Sequence, residues 1–142
     1  MSIYYANDAV FALPDWKFVD RTVHVLESPL SGEVPLSVAI RRVPMTEGKT
    51  LRALVDEEIA VTTEKTKGFT VVDDEEVTVA ETTGILLRVR CRFRDVAHYQ
   101  RQAHFAYDDT WIALSVAGPS THRTACEETF ERIVSSLTWR TG

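Results

Sequence analysis

The chain has only two cysteines, Cys91 and Cys126, among 142 residues, too few for the disulfide framework of a small secreted scaffold. Both sit in apolar contexts, which predicts small buried thiols in a reducing compartment rather than a bridge. Its six glycines are scattered, so no Gly-rich loop is available to cradle a phosphate. No window approaches the ~20 predominantly apolar residues that a membrane-spanning helix needs. A basic excess is missing too. Against 21 Asp and Glu stand 16 Lys and Arg, for a formal net charge of -5, which argues against non-specific attraction to nucleic acid or to an anionic membrane surface. With no apolar window, stable membrane insertion is not expected either. The opening Met1-Ser2-Ile3-Tyr4-Tyr5-Ala6-Asn7-Asp8 carries no basic n-region, no apolar h-region and no lipidation cysteine, so a cytoplasmic location is expected.

Catalytic constellations are also missing. Neither G-x-S-x-G nor C-x-x-C occurs, and His24 and His122 have no recognisable partner. His98 and His104 share a strand face but lie about 20 Å apart along an extended chain, too far for one metal. The run Asp73-Asp74-Glu75-Glu76 reads as a solvated turn, because adjacent strand residues point to opposite faces and no Gly-turn loop supports a cation site. The expectation is a non-enzymatic protein with no catalytic residue, no metal and no cofactor.

What is present is an ordinary globular composition, 44% apolar and 26% charged, without repeats or a Pro/Gly-rich linker. One domain over residues 1–142 follows. Residues 10–13 form a short apolar run stopped by Pro14-Asp15, with Trp16 and Phe18 anchoring an irregular link. Residues 22–26 alternate as a strand, as do Leu36, Val38 and Ile40 against Ser37, Ala39 and Arg41, until Pro44 intervenes. From Thr50 the period turns helical, with Leu51, Leu54, Val55, Ile59 and Thr62 on one stripe and Gly68 placed to stop it. Glu58, seven residues after Leu51, puts a carboxylate in or beside that apolar stripe. Strands are read at 69–72, 77–80, 85–94, 98–107 and 110–116, and Pro119-Ser120-Thr121 opens a second helix carrying Cys126, Phe130, Ile133, Val134 and Leu137. Strands in succession favour antiparallel pairing, so the class is α+β: a single antiparallel meander with two amphipathic helices. Helices on one face would leave the other open for a partner.

The strand of residues 85–94 alternates Leu87, Val89, Cys91 and Phe93 with Arg88, Arg90, Arg92 and Arg94. A three-residue turn Asp95-Val96-Ala97 would set Phe93 opposite Tyr99, Val89 opposite Ala103 and Leu87 opposite Phe105, and on the other face Arg92, Arg90 and Arg88 opposite Gln100, Gln102 and His104. Such a polar face either pairs its arginines with acids such as Glu76 or offers them to an anionic partner.

The segment Phe11-Ala12-Leu13-Pro14-Asp15-Trp16, followed by Asp20-Arg21-Thr22-Val23-His24-Val25, resembles the opening of the DcrB-related domain family. Further similarity follows in order at residues 36–41, at 51–55, at Gly68-Phe69, at Gln100-Arg101-Gln102 and at 133–140, covering nearly the whole chain. The resemblance implies a PsbP-like α+β fold. Its Eag branch, which the export-free start is similar to, consists of cytoplasmic chaperones that hold the hydrophobic N-terminal transmembrane helices of PAAR-domain type VI secretion effectors. By position the resemblance implies a client groove lined by Val23, Val25, Glu58 and Gln102, with Ser37, Ala39, Arg90, Gln100 and His104 as a further groove face, on a homodimer. Glu58 departs from the family's glutamine: an ionised carboxylate accepts hydrogen bonds without donating them and costs more to bury.

Overall fold

The computed structural model describes residues 2–5, 8–15, 17–19, 21–29 and 35–140; Trp16 and Asp20 of the opening motif lie outside the described residues. Among them, β1 (Ser2–Tyr5) and β2 (Val10–Leu13) form a two-stranded antiparallel ribbon, a second sheet the sequence pattern does not predict. The domain is carried by a six-stranded sheet of β3 (Val23–Ser28), β4 (Leu36–Pro44), β5 (Thr70–Val79), β6 (Thr82–Phe93), β7 (Val96–Tyr107) and β8 (Thr110–Pro119), in the order β3-β4-β8-β7-β6-β5. Every pairing is antiparallel. The α+β class and the two helices are as expected.

Helix α1 (Leu51–Lys65) begins where Thr50 accepts a hydrogen bond from the Ala53 amide, the usual threonine N-cap. It ends at Thr66, two residues before Gly68, whose φ of +71° and closeness to Arg92 favour a residue without Cβ. Its Leu54 and Val55 pack on Ile85, Leu87, Val89 and Trp111. Helix α2 (Arg123–Ser136) follows a short 3-10 turn at Ser120–His122 and buries Cys126 and Phe130 against Tyr99, Ala103, Phe105, Leu114 and Val116. The two sets of sheet residues alternate in sequence, so α1 and α2 cover opposite faces. This corrects the expectation of one covered and one open face: Leu87 and Leu86 are both apolar, and each side of the sheet needs its own cover.

The register of the central hairpin also differs. Gly84 pairs with Phe105, Leu87 with Gln102, Arg90 with Tyr99 and Phe93 with Val96, around a two-residue turn at Arg94-Asp95. Both turn residues have positive φ, 52° and 60°, as do Ala80-Glu81 and Asp108-Asp109 at the neighbouring hairpins. Turns of this kind match the twist of the strands and usually advertise themselves with Asn-Gly. None of these three does, which is why the sequence suggested a longer loop. A slip by an odd number of residues exchanges faces. The arginine row therefore stands with Tyr99, Arg101, Ala103 and Phe105 on the α2 side, and Gln100, Gln102 and His104 stand with Leu87 and Val89 on the α1 side. Gly84 is required where it is, since a Cβ there would come within 2.6 Å of the Phe105 ring.

The acidic run is a strand rather than a turn. It lies within one strand, β5 (Thr70–Val79), bulged between Val71 and Asp73, and Asp73, Asp74 and Glu76 meet arginines. Asp73 meets Arg88 at 3.4 Å, while Arg52 on α1 reaches Asp74 at 2.7 Å and Asp56 at 2.6 Å. Those bonds, Asp74 first, hold the Arg52 guanidinium firmly in its charged form and strap α1 to the sheet edge.

Candidate functional site

Beyond α1, towards β3 and β4, the α1-side face carries a groove of about 310 Å³. Its floor is made of residues that alternate along three adjacent strands: Ala39 and Arg41 of β4, Ala113 and Ser115 of β8, and Gln100, Gln102 and His104 of β7. Ala39 pairs with Ser115 and Ser115 with Gln102, so these three lie side by side across the sheet. One wall is α1, through Glu58, Ile59 and Thr62, and Val23 of the edge strand β3 forms the other. Small side chains in the middle make the floor shallow.

Of the residues the sequence nominated, Val23, Ala39, Glu58, Gln100, Gln102 and His104 line this groove together. Val25 pairs with Ala39 and Ser37 with Ala117, so both extend the same face along the strands. Val23 and Val25 are each 55% exposed, an apolar wall left in water. Arg90 is a correction: paired with Tyr99 and Thr70, it lies on the α2 side and is exposed there, for the register reason given above.

Sequence reasoning missed Arg41 and Trp111. Arg41 reaches Glu58 at 2.6 Å and stacks over the Trp111 ring at 5.0 Å, so the carboxylate that looked out of place on the helix stripe has a cation beside it. Trp111 donates its indole N–H to His104 Nδ1 at 3.0 Å; His104 Nε2 is 2.7 Å from Gln102 Oε1; and Gln102 Nε2 donates to Gln100 Oε1 at 3.0 Å. Burial first, and then the neighbouring Arg41 and Arg52, push the His104 imidazole down to about 4, so it is neutral near pH 7. The only foreshadowing of this line was period-2 spacing of Gln100, Gln102 and His104.

The arginine row is divided. Arg88 is engaged by Tyr99, Asp73 and Glu127, and Arg92 donates to the Asp95 carbonyl at 2.9 Å. Glu127 of α2 also accepts from Tyr99 and stands 3.6 Å from Arg101, itself stacked at 4.5 Å over Phe130. A more open depression of about 890 Å³ along α2, lined by Leu86, Arg101 and Phe130, contains none of the nominated residues. Both cysteines are unpaired and lie on opposite sides of the sheet; burial raises both thiols, Cys126 to about 11, which disfavours a reactive thiolate. No helix among the described residues is long and apolar enough to cross a membrane.

Comparison with known proteins starts from the fold. The crystal structure of PA94 from Pseudomonas aeruginosa, a protein of unknown function suggested to be a regulator, superposes with a TM-score of 0.83 at 15% identity, over 99% of this chain and 98% of that one. The solution structure of the cyanobacterial PsbP protein CyanoP from Synechocystis sp. PCC 6803 gives a TM-score of 0.57 at 10% identity, over 97% of this chain and 92% of that one. At those identities the likeness is one of fold, and the fold is PsbP-like. No curated protein sequence matches the chain. The model of the DcrB family matches residues 8–136, which span both helices and the whole six-stranded sheet, and the chain therefore belongs to the DcrB family.

Proposed function

We propose that the groove holds an apolar helix of a partner protein, in the manner of the Eag-type chaperones that shield the N-terminal transmembrane segments of PAAR-domain type VI secretion effectors. The observation that carries this reading is the exposed wall of Val23 and Val25 beside a floor of small residues. Covering such a wall contributes roughly 25 cal/mol per Å² of apolar area removed from water. Small residues at Ala39, Ala113 and Ser115 let a helix backbone come close, and glutamines give its few polar groups a partner, as between membrane helices. The Arg41–Glu58 pair sets no net charge against an apolar client. In this reading the protein acts in the cytoplasm before export, as a homodimer, binding its client without chemistry, cofactor or nucleic acid. The alternative, an anionic partner on the Arg88, Arg90, Arg92 and Arg94 row, is less favoured because acids of the same chain already meet Arg88 and Arg92 donates to the Asp95 carbonyl.

The test is co-purification with the apolar N-terminal segment of a PAAR-domain protein encoded beside this chain. Val23→Asp and Val25→Asp each place a charge on an exposed wall, so both variants should keep the wild-type circular dichroism and lose the segment. Undiminished capture by either variant would remove the wall from the site.

A further inference from the structure

The line of side chains beneath the groove has a direction, and one residue sets it. Trp111 Nε1 carries a hydrogen and no lone pair, so at 3.0 Å His104 Nδ1 must be the acceptor. The proton of the neutral ring then sits on Nε2, which donates to Gln102 Oε1 at 2.7 Å. That bond fixes which end of the Gln102 amide is which, and Gln102 Nε2 in turn donates to Gln100 Oε1 at 3.0 Å. Amide orientation is ordinarily free to flip by half a turn. Here it is fixed from the buried end, where Trp111 and His104 are 7% and 2% exposed.

Each glutamine carbonyl therefore already accepts one bond from within the line. The second N–H of Gln102 and both N–H groups of Gln100 meet no acceptor among the described residues, and both side chains line the groove. A reversed line would present carbonyl oxygens there instead.

We propose, building on the groove reading above, that His104 is a positioning residue: anchored by Trp111, it turns the amides of Gln102 and Gln100 so that the groove offers N–H donors. The groove then selects an apolar helix that carries an oxygen acceptor at that depth, such as a Ser or Thr hydroxyl. Burial keeps the imidazole neutral across ordinary pH, so the line keeps one direction.

Two measurements test this. Long-range nitrogen–proton correlation spectra of the full chain read the His104 tautomer, and the expected result is a proton on Nε2 with Nδ1 bare. Titration with two Lys-flanked Leu/Ala helices of about 20 residues, identical except for one central Ser or Ala, reads the selectivity. The Ser helix should bind more tightly by roughly threefold or more. His104→Leu should bring that ratio to one, Trp111→Phe should lower it, and His104→Gln, whose amide N–H reproduces the Nε2 donor, should keep it. A proton on Nδ1, or a ratio untouched by both His104→Leu and Trp111→Phe, overturns the proposal. Equal binding of the two helices by the wild type overturns the selectivity and leaves the groove reading standing. Binding of neither overturns the groove reading and the selectivity with it, while the tautomer spectrum still decides the orientation of the line.

Discussion

Glu58 illustrates how a single residue changes meaning with its neighbours. Alone on a helix stripe it looked like a carboxylate paying for burial, and glutamine looked the better fit. With Arg41 at 2.6 Å the direction reverses, because Glu58→Gln leaves a cation facing an apolar client. The single substitution should weaken client binding by a fewfold, on the order of the 1 kcal/mol such part-exposed pairs contribute. Arg41→Gln combined with Glu58→Gln should recover it, and a double-mutant cycle by calorimetry would measure the coupling. His104 makes a second residue-scale prediction. Its pKa falls from the ordinary 6.5 to about 4 on folding, so the unfolded chain takes up a proton first as pH drops. The stabilisation is complete above 6.5 and is lost as pH falls towards 4, by on the order of 3 kcal/mol for this group. Urea titrations across that window should show a shallower decline in His104→Gln than in wild type, and parallel curves would refute the assignment.

At the scale of elements, α2 is held to its face by apolar packing and by one charged junction. Cys126 and Phe130 are fully buried, while Glu127 draws in Tyr99, Arg88 and Arg101. Glu127→Gln would leave Arg101, 8% exposed, without its nearest anion, at a cost of about 1–3 kcal/mol in urea unfolding. Exposed Arg90 on the same face should tolerate Arg90→Gln within about 0.5 kcal/mol. Equal losses for the two would mean that the junction adds nothing beyond burial. The strands themselves were readable from period-2 spacing, most clearly along β6. Their mutual register was not, since turns such as Arg94-Asp95 reach positive φ without glycine and leave no mark in the sequence.

For the molecule as a whole, helices on opposite faces leave the strip beside β3 and β4 open on the α1 side, where Val23 and Val25 are exposed. An apolar client seated there should bind with little dependence on ionic strength, because burial of apolar surface is not screened. Binding measured from low to high salt should stay within a fewfold. A steep loss would favour contacts made by the arginine row, whose attraction to an anion falls sharply with salt.

The sequence by itself determined the α+β class, both helices, the alternation along strands such as β6, and Glu58 as a carboxylate beside an apolar stripe. Those follow from period and composition, which are local. Val23, Val25 and Gln102 were singled out by the resemblance to the family. Only the tertiary structure decided which face of the sheet each helix covers, that the Arg row and the Gln row part company, and that Arg41 lines the groove with Trp111 buried beneath it. Arg41 and Ala113 are opposite each other because β4 pairs with β8 rather than with its successor in sequence, and Trp111 reaches His104 across the β7–β8 hairpin. Long-range strand order and an odd register shift set both results, and neither depends on any local run of residues.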